Sequence, residues 1–102
     1  MKIRRGLDVS ADALQDVCRR YGVHELWLFG SSARGSARPD SDVDLLVQFE
    51  PDARIGFLEL AGLQEELSAI LDKPVDLVPR NGLKAVIRDA VLAEARSLYL
   101  AA

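Results

Sequence analysis

The sequence predicts an α/β (α+β) fold in which a small mixed β-sheet of three to four strands packs against helices. Short apolar runs, ELWLF, VDLLVQF and VDLV, alternate along the chain with longer segments whose apolar residues recur every three or four positions. The 102 residues, 49% of them hydrophobic, suffice for one buried core and are too few for two. We therefore expect a single domain over residues 1–102.

The predicted elements follow in the order helix, strand, short helix, strand, helix, strand, helix. Ser10 is a typical N-cap residue, and the apolar spacing after it predicts a helix to about Arg20. The predicted strands are Glu25–Phe29, Val43–Phe49 and Val75–Val78. This pattern leaves open the strand order and whether helices cover one face of the sheet or both.

Two longer helices are predicted in the second half of the chain. Their apolar spacing places them at Ile55–Leu71 and Leu83–Ala95, while the SSAR segment favours a short helix after the first strand. The terminal SLYL segment either adds a strand or packs against the core. We expect Trp27 to be a core aromatic and Arg4 and Arg5 to be solvated.

Composition restricts the class of protein. No apolar run approaches the ~20 residues needed to span a bilayer, so no membrane segment is expected. The single cysteine, Cys18, cannot form a disulfide within the chain, which fits a protein of the reducing cytoplasm. The net charge is −3, with 13 basic against 16 acidic residues, which argues against a dedicated nucleic-acid surface.

The segment GSSARG after the first strand is a candidate phosphate-binding turn. Gly30 lacks a side chain, so backbone amides could approach an anion, and Ser31 adds a hydroxyl group. Arg34 could bind phosphate oxygens with its forked guanidinium. The alternative interpretation is an ordinary strand-to-helix turn.

Two aspartates, Asp42 and Asp44, stand one residue apart at the start of the second strand. Alternate strand residues share a face, so both carboxylates would project together while Val43, Leu45 and Val47 point into the core. Carboxylates that close repel each other unless a cation lies between them, and hard oxygen ligands suit Mg²⁺. The alternative is a pair that caps the strand and faces water.

A third carboxylate, Asp76, interrupts the apolar strand PVDLVP. If that strand lies beside Val43–Phe49, Asp76 can join Asp42 and Asp44 in a triad that could hold two Mg²⁺ ions. The alternative is a surface position on an edge strand.

The segments Gly30–Gly35 and Ser41–Leu45 together resemble the signature of the polymerase-beta-like nucleotidyltransferase superfamily. Within it, the short chain is most similar to the minimal nucleotidyltransferases, which include antitoxins of the MntA type. GSxxxG followed by DxD on the next strand is a fairly specific combination, whereas either half alone is not.

The resemblance implies the polymerase-beta-like nucleotidyltransferase fold and a reaction that transfers AMP from ATP to a hydroxyl group and releases pyrophosphate. It implies that Asp42, Asp44 and Asp76 are the catalytic and metal-binding residues. The implied nucleotide-binding residues are Gly30, Ser31, Ser32, Arg34, Gly35 and Ser41.

The resemblance also implies a partner. Antitoxins of this family modify and bind an all-helical toxin ribonuclease of the HEPN class, so a hetero-oligomer with a cognate toxin is expected. Larger relatives carry an extra domain for their acceptors, and its absence here favours a protein acceptor. Two other functions stay open: a non-catalytic module that neutralises its partner by occlusion, and a small-molecule nucleotidyltransferase whose acceptor pocket forms at a dimer interface.

Overall fold

The computed structural model describes residues 1–38 and 40–102. Its helices are α1 (Ala11–Arg20), α2 (Gly30–Arg34), α3 (Phe57–Leu71) and α4 (Ala85–Glu94), with a 3₁₀ turn at Arg80–Gly82. Its strands are β1 (Lys2–Arg4), β2 (Leu7–Asp8), β3 (Val23–Phe29), β4 (Val43–Phe49), β5 (Val75–Pro79) and β6 (Arg96–Leu100). The order of helices and strands from α1 onward follows the predicted one.

The main sheet has four strands in the order β5-β4-β3-β6. Strand β4 runs parallel to β5, and β3 runs antiparallel to both β4 and β6. This confirms the predicted small mixed sheet. Because β4 and β5 are consecutive strands joined by α3, they form a β-α-β unit whose strands begin at the same edge of the sheet.

Helices α1 and α3 pack against each other and cover one face of the sheet. Alternate residues of β4, namely Val43, Leu45 and Val47, lie in this core with no more than 1% of their surface exposed, as predicted. The helices contribute Leu14, Val17, Cys18, Leu63, Leu67 and Leu71. Burial of these apolar side chains is the main stabilising contribution to the fold.

The opposite face of the sheet is less covered. Helix α4 contacts α2 and β3 but has no buried residue. Trp27, expected in the core, is instead half-buried, and the guanidinium carbon of Arg80 lies 5.9 Å from the centre of its ring. On β4, the side chains that alternate with the core residues point to this face, where Asp44 and Gln48 are half-buried and Leu46 between them is fully buried.

Two features at the ends of the chain complete the fold. Strands β1 and β2 form a separate antiparallel hairpin that the sequence did not predict. The terminal SLYL segment, for which either a strand or packing against the core was expected, belongs to strand β6, which joins the edge of the sheet beside β3. Among residues 1–38 and 40–102, no helix is long and apolar enough to cross a membrane.

Candidate active site

The turn between β3 and α2 brings the chain against an aspartate of β4. Gly30 is the first residue of α2 and has a φ of +69°, a conformation that costs side-chain-bearing residues about 1–2 kcal/mol. A Cβ atom added at Gly30 would lie 2.5 Å from Oδ2 of Asp44. Glycine is thus required at position 30 both by its backbone conformation and by the nearby carboxylate.

Two of the three predicted carboxylates lie at neighbouring positions of the sheet, and the third lies just before it. Asp44 and Asp76 are register partners on the parallel strands β4 and β5, whose backbones are about 4.8 Å apart in a typical sheet. Asp42 immediately precedes β4, two residues before Asp44. Asp42 and Asp76 are exposed and Asp44 is half-buried, so the group opens to solvent.

The electrostatics of Asp44 reflect this grouping. Its pKa is raised above the ordinary value of 3.8, first because burial removes water from the carboxylate and then because Asp76 and Asp42 repel its charge. Arg34 and Arg4 act in the opposite direction and lower the pKa, less strongly. Mutual repulsion of this kind is what a bound cation relieves.

The carboxylates of the site could supply part of the coordination shell of a magnesium ion. In the described part of the chain, no group of three or more His, Cys, Asp or Glu side chains is placed to hold one ion by itself. Mg²⁺ in nucleotide-handling proteins typically takes one or two carboxylates and completes its shell with water and substrate phosphates. The paired carboxylates Asp44 and Asp76, with Asp42 beside them, fit that kind of incomplete protein site.

Arg4 connects the two halves of the predicted motif. This side chain is only 7% exposed. Its Nη1 donates to the Ser32 hydroxyl at 2.9 Å and to the Asp42 carbonyl at 3.2 Å, and its Nη2 donates to the Ser41 carbonyl at 2.5 Å. The expectation that Arg4 is solvated was wrong, because these oxygen atoms satisfy the guanidinium inside the protein.

The remaining predicted nucleotide-binding residues occupy different positions around α2. Ser31 is half-buried in its first turn, next to Gly30. The buried Ser32 hydroxyl accepts a bond from Arg4, and the Ser41 hydroxyl accepts one from the Arg38 amide at 3.0 Å. At the other end of the helix, Arg34 forms an ion pair with Glu94 at 3.2 Å.

Gly35 has a role in the helix itself. It caps α2 with a φ of +77°, and a Cβ atom at this position would meet no atom within 4 Å. The structure thus brings Gly30, Asp42, Asp44 and Asp76 to one place, with Ser31 adjacent, and places Arg34 and Gly35 at the far end of α2. Sequence reasoning missed Arg4, since no local pattern distinguishes it from the exposed Arg5.

Comparison with known proteins points to one family. The family described as "Nucleotidyltransferase domain" matches residues 11–98, which include every site residue discussed above except Arg4. The protein adenylyltransferase MntA of Thermococcus cleftensis is 44% identical over 80 residues, which cover 78% of this chain and 79% of that protein.

Solved structures share the same fold. A structure described as a "putative minimal nucleotidyltransferase" is 42% identical and superimposes with a TM-score of 0.72 over 84% of this chain and 86% of its own. A chain in the structure of a tri-AMPylated Shewanella oneidensis HEPN toxin in complex with an MNT antitoxin is 20% identical, with a TM-score of 0.63. That match covers 89% of this chain and 70% of the other, and at such low identity it concerns the fold alone.

Proposed function

This chain belongs to the nucleotidyltransferase domain family and is a nucleotidyltransferase, and we propose that it transfers AMP from ATP to a hydroxyl group of a partner protein. The observation that carries the proposal is the register pairing of Asp44 with Asp76 beside a glycine turn that approaches Asp44. The similarity to a protein adenylyltransferase supports AMP as the transferred group and a protein as the acceptor.

In this proposal, some residues of the site bind the nucleotide and another accepts a proton. Gly30 and Ser31 leave room for the triphosphate at the start of α2, where the bare Cα of Gly30 keeps the backbone close to the carboxylates. Asp76, exposed on β5, accepts the proton of the acceptor hydroxyl. The acceptor oxygen then forms a bond to the α-phosphorus, the bond from that phosphorus to the bridging oxygen breaks, and pyrophosphate leaves.

Asp42, Asp44 and Asp76 are the residues that would hold Mg²⁺, two ions in our proposal. When bound, the metal would neutralise phosphate charge and lower the pKa of the attacking hydroxyl group. Asp44 supplies the most protected carboxylate of the three, since it is half-buried between β3 and β5 while the other two are exposed.

For the acceptor, we propose a cognate all-helical toxin of the HEPN class that this chain modifies and binds as an antitoxin in a hetero-oligomer. The shared fold with a chain from a complex of an AMPylated HEPN toxin and an MNT antitoxin supports this choice. We place the reaction in the cytoplasm, where ATP is available and where the buried thiol of Cys18 stays reduced.

The test is transfer of radiolabelled AMP. The purified chain, α-labelled ATP and Mg²⁺ are incubated with a HEPN protein encoded beside it, and the label is followed on a denaturing gel. We expect label on the HEPN protein with the native chain and with Asp52→Asn, and none with Asp44→Asn. Asp52→Asn makes the same chemical change at an exposed carboxylate in the turn after β4.

Two outcomes would contradict the proposal. Label that never reaches the HEPN protein, combined with full neutralisation of its toxicity by Asp44→Asn, would establish the occlusion module instead. Label on the hydroxyl group of a small molecule, but not on the protein, would show that the acceptor is a small molecule.

A further inference from the structure

A basic hollow lies beside α2, bounded by the β1–β2 hairpin and by the start of β6. We define it by the residues that line its volume of about 320 Å³, which are Lys2, Arg4, Arg5, Ser32, Ala33, Gly35, Ala37 and Arg96. Four of these residues are cations, and none is acidic. The hollow is therefore positively charged, whereas the whole chain carries a net charge of −3.

The positive charge of the basic hollow is not neutralised by ion pairs. None of the salt bridges between described residues involves Lys2, Arg4, Arg5 or Arg96. Arg4 bonds only to a hydroxyl and two carbonyl oxygens, and Arg96 donates to the Ile3 carbonyl. Lys2 and Arg5 are exposed and line the hollow, so their cationic groups are accessible to an anion from solution.

The basic hollow is a different place from the aspartate site. Its lining includes neither Gly30 nor Ser31, and none of the three aspartates. It borders α2 at Ser32 and Ala33 and continues along the C-terminal cap, Gly35, to Ala37. The guanidinium of Arg4 separates the two regions, because it bonds to Ser32 on one side and to the Ser41–Asp42 backbone on the other.

We propose that the basic hollow binds a small polyphosphate anion, of the size of inorganic pyrophosphate, at a second site apart from the aspartates. Phosphate oxygens accept hydrogen bonds from the guanidinium group of Arg5 and from the ammonium group of Lys2. A small anion suits the site because it is held by four local cations, whereas a long nucleic acid would also meet the repulsion of a net negative protein. This proposal does not depend on the proposed function.

The test is a titration with inorganic pyrophosphate followed by amide chemical shifts, with EDTA present so that no divalent metal can bridge the anion to the aspartates. We expect saturable shifts at Ser32, Gly35 and Ala37, and smaller ones at Gly30 and Asp44. The double variant Lys2→Ala/Arg5→Ala removes two exposed cations from the hollow and is expected to raise the dissociation constant at least about tenfold, equivalent to about 1.4 kcal/mol.

The matched control is Lys84→Ala/Arg54→Ala, which removes one lysine and one arginine from exposed positions outside the hollow. It lowers the net charge equally, so a dissociation constant within about twofold of native supports a local site. Equal weakening by both double variants, or shifts centred on Gly30 and Asp44, would overturn the proposal. So would tight binding of a ten-nucleotide RNA without binding of pyrophosphate, which would assign the hollow to a nucleic acid.

Discussion

The Cα of Gly30 and the carboxylate of Asp44 are so close that a Cβ atom at position 30 fits only if the carboxylate moves. A Cβ atom at position 30 would stand 2.5 Å from Oδ2 of Asp44, where real Cβ atoms are essentially never found. The turn that starts α2 therefore packs directly against Asp44, the second residue of β4. A larger residue at position 30 would displace the Asp44 carboxylate.

Gly30→Ala is expected to destabilise the protein by about 3 kcal/mol or more, since it combines the strain of a positive φ with a steric clash. The measurement is chemical denaturation. Gly35→Ala is the matched control, because Gly35 has a similar φ of +77° but open space around its Cα, so we expect a loss of only about 1–2 kcal/mol. Equal losses in the two variants would show that the contact with Asp44 is unimportant.

Asp44→Asn is expected to reduce AMP transfer at least about 10²–10³-fold, the cost typical of removing one group that stabilises charge in a transition state. The amide has nearly the same shape as the carboxylate but lacks the charge that would hold a divalent cation. Initial rates of label transfer measure the effect, and Asp52→Asn should keep the native rate. A fully active Asp44→Asn protein would remove Asp44 from the catalytic group.

The raised pKa of Asp44 predicts how stability depends on pH when EDTA is present. In the folded state this carboxyl keeps its proton more firmly than in the unfolded chain, so its contribution to stability is present below pH 3.8 and is lost as the pH rises through the raised pKa. Asp44→Asn cannot ionise at this position. We expect it to match the native protein near pH 3 and to melt at a higher temperature than the native protein at pH 7.

Melting curves from pH 3 to 7 for the two proteins check this expectation, because their difference cancels the titration of groups that do not interact with Asp44. A difference that does not change with pH, or one that favours the native protein at pH 7, would contradict it. Adding Mg²⁺ at pH 7 is expected to raise the melting temperature of the native protein more than that of Asp44→Asn, since a ligand stabilises the state that binds it.

Arg4→Met is expected to lower the free energy of unfolding by about 2–4 kcal/mol. The substitution keeps an apolar stem but removes the bonds to Ser32, Ser41 and Asp42. One hydrogen bond to a charged group contributes about 1.5–3 kcal/mol, and the contributions of bonds that share one guanidinium do not simply add. Arg5→Met is the control, because this neighbouring side chain is exposed and its loss should change stability by no more than about 0.5 kcal/mol. Similar effects of both variants in urea unfolding would contradict the buried role of Arg4.

Much of the fold could be predicted because the helices and strands of the core have clear periodicity. The alternation around Val43, Leu45 and Val47 predicted both β4 and the face on which its aspartate lies. The β1–β2 hairpin was missed because its strands are only three and two residues long, too short for a period to be visible. Its turn, Arg5–Gly6, also lacks the Asn-Gly or Asp-Gly signal of a tight hairpin.

The site was predicted in part, for a similar reason. Gly30, Asp42 and Asp44 belong to a local motif, whereas Asp76 lies outside it and joined the predicted group only on the assumption that β5 lies beside β4, as it does in the sheet. Arg4 could not be recognised, because its partners lie 28, 37 and 38 residues away in the sequence. Nothing in the sequence KIRRG distinguishes the arginine that becomes buried from the one that stays exposed.

The parallel pairing of β4 with β5 has a consequence for how this chain can change in evolution. Asp44 meets Asp76 through strand register, and successive strand residues point to opposite faces. A residue gained or lost between Val43 and Asp44 would turn the aspartate toward the leucine-rich core, whereas the exposed turn near Asp52 contains none of the site residues. Insertions and deletions among descendants of this sequence are thus expected to accumulate around residues 51–54 and to be purged from residues 43–45.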